Sequence, residues 1–111
     1  MELIEKTVNH CCIITINGDI ISSADEKRLD RRIRSVFRKV DHIILDMSEV
    51  KIISSSAVQM LLEAWQDIYN EQGLLLLACM QTSARITFSI NKAYAFLETG
   101  TLLEAMEKIK C

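Results

Sequence analysis

Three consecutive serines, Ser54-Ser55-Ser56, are the most chemically suggestive residues of the chain. They follow an apolar stretch and precede Ala57 and Val58, where a helical pattern begins, so they occupy a strand-to-helix turn. One hydroxyl at such a turn serves as a helix cap. Its oxygen takes up a first-turn N–H that has no partner inside the helix, which is worth about 1 kcal/mol. Capping needs a single hydroxyl, and three leave some over. A phosphoryl group added here would meet free N–H groups and the positive end of the helix dipole, so the modified form need not unfold. It would place roughly two negative charges on the surface and change which partner docks there. Cap and switch both stand as readings of the triplet.

Conventional catalytic constellations do not emerge. A nucleophile elbow needs GxSxG, and the neighbours of Ser55 are serines rather than glycines. Gly18, Gly73 and Gly100 stand too far apart to form a phosphate-cradling loop. Asp46 and Glu49 lie near the serines in sequence, but a carboxylate pair without a pocket is thin support for acid–base work. The chain is therefore expected not to be an enzyme and to need no cofactor. Metal binding is not expected either. Cys11 and Cys12 are adjacent, Cys79 sits in an apolar run and Cys111 is the last residue, with no CxxC and no HxxxH between His10 and His42. On a strand, Cys11 and Cys12 would point to opposite faces. The cysteines read as buried thiols acting as small hydrophobes, with Cys111 an exposed thiol able to cross-link adventitiously in air. Asp46 ends an otherwise apolar run, so its carboxylate must find donors. The nearest in sequence are the turn N–H groups of Ser54 to Ser56, which makes Asp46 a candidate site-organising residue.

The elements that must position these residues follow from periodicity. The chain has 111 residues, half of them hydrophobic and a quarter charged, as in a globular domain able to bury a core. Its net charge of −2 argues against electrostatic binding of nucleic acid. No apolar run reaches the roughly 18 residues of a membrane span, and the charged start MELIEKTVNH is unlike a signal-peptide core. The expected location is cytoplasmic. Leu3 to Val8 and Cys11 to Asn17 read as two strands joined near Asn9 and His10, with Asn17-Gly18 ending the second. Ser22 and Ser23 stand at capping-box spacing before Asp25 and Glu26. A helix follows, with Leu29, Ile33, Val36, Phe37 and Val40 on one stripe and arginines and acids interspersed on the rest. His42 to Met47 is a short apolar run expected of a strand covered on both faces.

After Ser54 to Ser56 comes a second helix with Val58, Leu61, Leu62, Trp65, Ile68 and Tyr69 facing inward and Gly73 as its stop. Trp65 reads as core. Leu74 to Met80 is a further buried strand, Thr82 to Asn91 a shorter helix and Tyr94 to Leu97 a final strand. Thr101 and Glu104 form a capping box for a last helix. The fold class is α/β: a mixed, mainly parallel sheet with an N-terminal antiparallel hairpin and four helices, in the order β-β-α-β-α-β-α-β-α. In such sheets function gathers at loops beyond the carboxyl ends of the strands, and the serine triplet lies in one of them.

The residues from Ile43 to Leu61, IILDMSEVKIISSSAVQML, resemble the signature of STAS domains, the family of bacterial anti-sigma factor antagonists. That signature is a hydrophobic strand ending in Asp, a short polar link, two apolar residues, then Asp-Ser-Ser/Thr-Gly and an apolar helix. The match is ungapped. Ile16-Asn17-Gly18-Asp19-Ile20 is similar to the family's Gly-Glu-Leu turn before its first helix, and Gly73 with Leu74 to Leu77 to its glycine before the next strand. The resemblance spans nearly the whole chain and implies one STAS-like domain over residues 1–111.

It further implies that Ser55 is the phosphate acceptor, with Ser56 and Ser54 as alternatives. Ser54, Ser55, Ser56, Ala57, Gln59 and Asp19 would form the partner surface. The implied partner is a serine kinase that is also an anti-sigma factor, bound when Ser55 is free and released on phosphorylation, with a phosphatase restoring binding. Direct contact with nucleic acid is not implied, and the protein would be a monomer or weak homodimer. Two positions depart from the pattern: Ser54 stands where the family has Asp, and Ala57 where it has Gly. The alternative reading is a constitutive STAS subunit of a lipid-transport ATPase, in which the triplet only caps the helix. An enzyme or small-ligand domain using the same loop is a third reading.

Overall fold

Strands alternating with helices form one five-stranded sheet whose strands lie side by side in chain order. The computed structural model describes residues 1–91, 97–99 and 101–109. The strands are β1 (Glu2–Val8), β2 (Cys11–Asn17), β3 (His42–Glu49), β4 (Leu74–Ala78) and β5 (Leu97–Thr99). The helices are α1 (Ser23–Phe37), α2 (Ser55–Asn70), α3 (Thr82–Ile90) and α4 (Leu102–Lys108). β1 and β2 form an antiparallel hairpin around Asn9, whose φ of 53° is tolerated by asparagine. The remaining pairings, β2 with β3, β3 with β4 and β4 with β5, are all parallel. The expected fold class is thus the observed one.

Alternation along β3 divides the core in two. Ile43, Leu45 and Met47 face the layer that holds α1 and α2 and the buried Ala84 and Phe88 of α3. Ile44 faces the opposite side, with Cys11, Ile13, Leu76, Ala78 and Ala105 of α4. α1 buries Leu29, Ile33 and Val36 at helical spacing, and Ser22 caps it by accepting from Asp25 N at 3.1 Å. Burying each large aliphatic side chain contributes about 1.5–3 kcal/mol, which the charged outer face of α1 could not supply.

Several expected boundaries move. β4 ends at Ala78 rather than Met80, because Cys79 adopts φ 60° and turns the chain out of the sheet. β5 is described at Leu97–Thr99 and shares Leu97 with the expected strand Tyr94–Leu97; Tyr94 to Phe96 lie outside the described residues, as do Gly100 and Cys111. α2 does not stop through a left-handed Gly73. Gln72 takes that conformation, with φ 69° and its N–H bonded to Tyr69 O, while Gly73 N bonds to Ile68 O at 2.9 Å. Gly73 is required for a different reason: a Cβ there would lie 2.6 Å from both Asp41 O and Phe37 Cε1. Tyr69 is 55% exposed rather than core, stacked at 5.2 Å on a partly buried Trp65. Cys12 and Cys79 are free thiols, whereas Cys11 is disulfide-bonded, correcting the reading of it as a free thiol.

Candidate functional site

The serines lie at the carboxyl ends of the parallel strands, on a loop held from both sides. From the β2–α1 side, Asp19 Oδ1 accepts from Lys51 N and Ile52 N, each at 3.0 Å. Ile20 N donates to Ile52 O and Ser54 N donates to Ile20 O, both at 2.9 Å, forming a parallel bridge between Ile20 and Ile53. From the β4–α3 side, Gln81 Nε2 donates to Ser48 O at 2.7 Å and Ser83 Oγ to Lys51 O at 2.6 Å. Backbone polar groups of residues 48–54 that would otherwise need water are thereby paired, and the turn is fixed before α2 starts.

Ser54 is the N-cap of α2. Its φ of −74° and ψ of 157° are extended, and its Oγ accepts from Ala57 N at 3.1 Å. The same oxygen donates to Glu26 Oε1 of α1 at 2.6 Å. Ser56 Oγ donates to that same carboxylate oxygen and lies 3.2 Å from Ser54 Oγ. Two of the three hydroxyls are therefore committed to one carboxylate from another helix. Ser55 is different: it is exposed, and its Oγ accepts from Asn91 Nδ2, just past α3, at 3.2 Å. Ser55 opens the first turn of α2, where its own N–H and that of Ser56 have no intrahelical acceptor. That turn carries no acidic residue of its own.

The other expected site residues divide. Asp19 and Ala57 join the triplet, Asp19 by holding the loop and Ala57 by donating its N–H to the cap while its methyl is fully buried. Gln59 is exposed on the first part of α2. Asp46 does not organise the serines through their N–H groups. Its Oδ1 accepts from Ser48 N at 3.1 Å, and alternation along β3 turns it to the α4 side of the sheet, away from α1 and α2. Its charge is felt instead by Cys79, whose thiol pKa is raised by burial and by Asp46.

Glu26, Asn91, Gln81 and Ser83 were not singled out by the sequence. Glu26 stands at capping-box spacing, a local pattern that accounts for a carboxylate without requiring a distant partner. The departure at position 54 was the available signal: a serine where a carboxylate is usual leaves room for a carboxylate from elsewhere, and Glu26 brings one.

Exposed apolar side chains occur on the segments that meet at the serines. Ile21 and Ile52, on the two loops that meet at the Ile20–Ile53 bridge, are each 55% exposed. Ile86 and Ile90, one turn apart on α3, are exposed too. A 380 Å³ groove lined by Arg34, Phe37, Arg38, Asp67 and Glu71 lies at the far end of α2, about 18–24 Å along its axis from the serines. No cluster of potential metal ligands occurs among the described residues, and no helix among them is long and apolar enough to cross a membrane.

Comparison with known proteins agrees with this fold. The STAS domain family profile matches residues 3–106. No curated protein matches the sequence. Among solved structures, the anti-sigma factor antagonist SpoIIAA in its unphosphorylated form superposes with a TM-score of 0.82 at 16% identity, covering 98% of this chain and 96% of that one. The Bacillus cell fate determinant SpoIIAA in the phosphorylated form gives 0.75 at 16% identity, with 97% and 99% coverage. An anti-sigma factor antagonist from Mycobacterium paratuberculosis gives 0.85 at 15% identity, covering 99% and 94%. At these identities the structures establish a shared fold, and the family match spans nearly the whole sequence. The chain belongs to the STAS domain family.

Proposed function

We propose that this protein is a partner-switching binding module of the anti-sigma factor antagonist type, and that phosphorylation of Ser55 sets its docking state. One observation carries the reading: of three adjacent hydroxyls, Ser54 and Ser56 donate to Glu26, while Ser55 is exposed and accepts a side-chain amide at its oxygen. The Ser55 hydroxyl thus keeps its proton for transfer and its oxygen accessible to a phosphoryl donor. The phosphorylated product would sit on the first turn of α2, where the dipole and free N–H groups favour an anion. The fold would persist while the surface gained roughly two negative charges among Ile21, Ile52, Ile86 and Ile90. A partner that buries those isoleucines would then have to desolvate a phosphate, and would be released.

The partner in this reading is a serine kinase that also acts as an anti-sigma factor, in the bacterial cytoplasm, with a phosphatase reversing the modification. The module itself performs no chemistry. Support comes from family membership and from SpoIIAA, an antagonist of this fold solved in both unphosphorylated and phosphorylated forms. The test is incubation with the serine kinase that co-purifies with the protein, plus ATP. One phosphate should be added at Ser55 and none to Ser55→Ala, and Ser55→Asp should lose the partner that Ser55→Ala retains. Equal binding by both variants would refute the switch and leave the constitutive-subunit reading, for which the same exposed isoleucines would form a permanent interface.

A further inference from the structure

We propose that the outer edge of β1 is a self-association surface, at which a second copy of this chain adds its own β1 antiparallel in a register centred on Ile4. β1 ends the sheet, and among the described residues only β2 pairs with it. Its pairing with β2 runs without a shift from Glu2↔Asn17 to Val8↔Cys11, and the chain has no proline, so neither a bulge nor a missing donor blunts the edge. The two faces of the strand differ. Leu3 packs against the core and Glu5 is bound to Arg32 at 2.6 Å, so that face is occupied by α1. Glu2, Ile4 and Lys6 share the other face by alternation, and all three are exposed, Ile4 at 48%.

The order Glu-x-Ile-x-Lys is self-complementary under a two-fold axis. Antiparallel pairing centred on Ile4 sets Ile4 against the second copy's Ile4, Glu2 against its Lys6 and Lys6 against its Glu2. This register is open whichever alternate set of peptide groups points outward, because both sets obey the same two-fold pairing. Sliding by one step to a centre at Glu5 would oppose two Glu5 carboxylates and set Ile4 against a lysine. A centre at Leu3 would set Glu2 against an isoleucine. A lysine on an edge strand normally discourages pairing; here a glutamate four residues earlier offsets it in one register alone.

Sedimentation velocity from 10 µM to 1 mM at low salt, under reducing conditions, tests the proposal. The wild type should show a concentration-dependent dimer. Glu2→Lys and Lys6→Glu, each placing like charges opposite one another, should each raise the dissociation constant at least tenfold while circular dichroism shows unchanged folding. Mixing the two variants in equal amounts should restore association, because a chain with two cationic ends on this face then meets a chain with two anionic ones. The double exchange Glu2→Lys with Lys6→Glu should restore it as well. A wild type that stays monomeric to 1 mM overturns the proposal. So does a dimer that ignores both reversals, or one that mixing does not recover. Ser55 plays no part in these measurements, so their outcome is independent of the phosphorylation reading.

Discussion

Ser54 Oγ lies 2.6 Å from Glu26 Oε1, joining the first turn of α2 to the first turn of α1 across 28 positions of sequence. The same serine oxygen caps its own helix through Ala57 N. One hydroxyl thus accepts a backbone N–H and donates to a carboxylate, so the cap is polarised by the charge beyond it. Glu26→Ala should lower stability by roughly 1–2 kcal/mol and Ser54→Ala by about 1 kcal/mol. Because the two share a network, the double variant should lose at least about 0.5 kcal/mol less than the sum. Urea denaturation of the four proteins measures this, and strict additivity would show that the contact carries no energy. Ser55→Ala, outside that network, should stay within about 0.5 kcal/mol of wild type.

Asp19 is the hinge pin of the loop before the serines, since one carboxylate oxygen takes both Lys51 N and Ile52 N. Asp19→Ala should leave two N–H groups to water and cost about 1–2 kcal/mol, with amide exchange at Lys51 and Ile52 accelerating most. Asp19→Asn keeps an acceptor oxygen and should retain most of the protection. Hydrogen exchange followed by NMR distinguishes a local loosening from a global loss of stability.

The end of α2 offers a paired test of two backbone arguments. Gly73→Ala would drive a methyl to 2.6 Å from Asp41 O, a backbone atom that cannot swing aside, and should cost about 1–3 kcal/mol as overpacking does. Gln72→Gly should stabilise by up to about 1 kcal/mol, because Gln72 occupies the left-handed region that costs a side chain about that much. Thermal unfolding should therefore shift in opposite directions for adjacent residues.

Burial raises the Cys12 thiol pKa above its ordinary value of 9.0, with Glu5 adding to the effect against smaller opposing contributions from Thr7, the Lys6 backbone and Arg32. Cys79 is raised as well, by burial and by Asp46. A thiol that holds its proton more tightly when folded contributes fully below the unfolded value and loses that contribution as pH climbs toward the folded one. Stability should therefore decline above about pH 9, and Cys12→Ala should flatten part of that decline relative to wild type. Denaturation midpoints measured from about pH 7 to 10.5 for both proteins give the difference. Iodoacetamide should also label Cys79 faster than Cys12, because Cys12 is only 1% exposed.

The element order, the mixed sheet, most of the inward stripes of α1 and α2, the Thr101 cap and the presence of a serine cap before each of α1 and α2 were legible in the sequence. Each depends on residues within about one helical turn or on alternation along one strand, and such local chemistry is written in adjacent letters. Tertiary structure alone decided which hydroxyl of the triplet is free. That depends on Glu26 and Asn91, brought to the serines from 28 and 36 positions away by the packing of α1 and α3 beside α2. It likewise sent Asp46 to the opposite face, because a strand offers its side chains to two layers and only the completed sheet shows which layer holds the site.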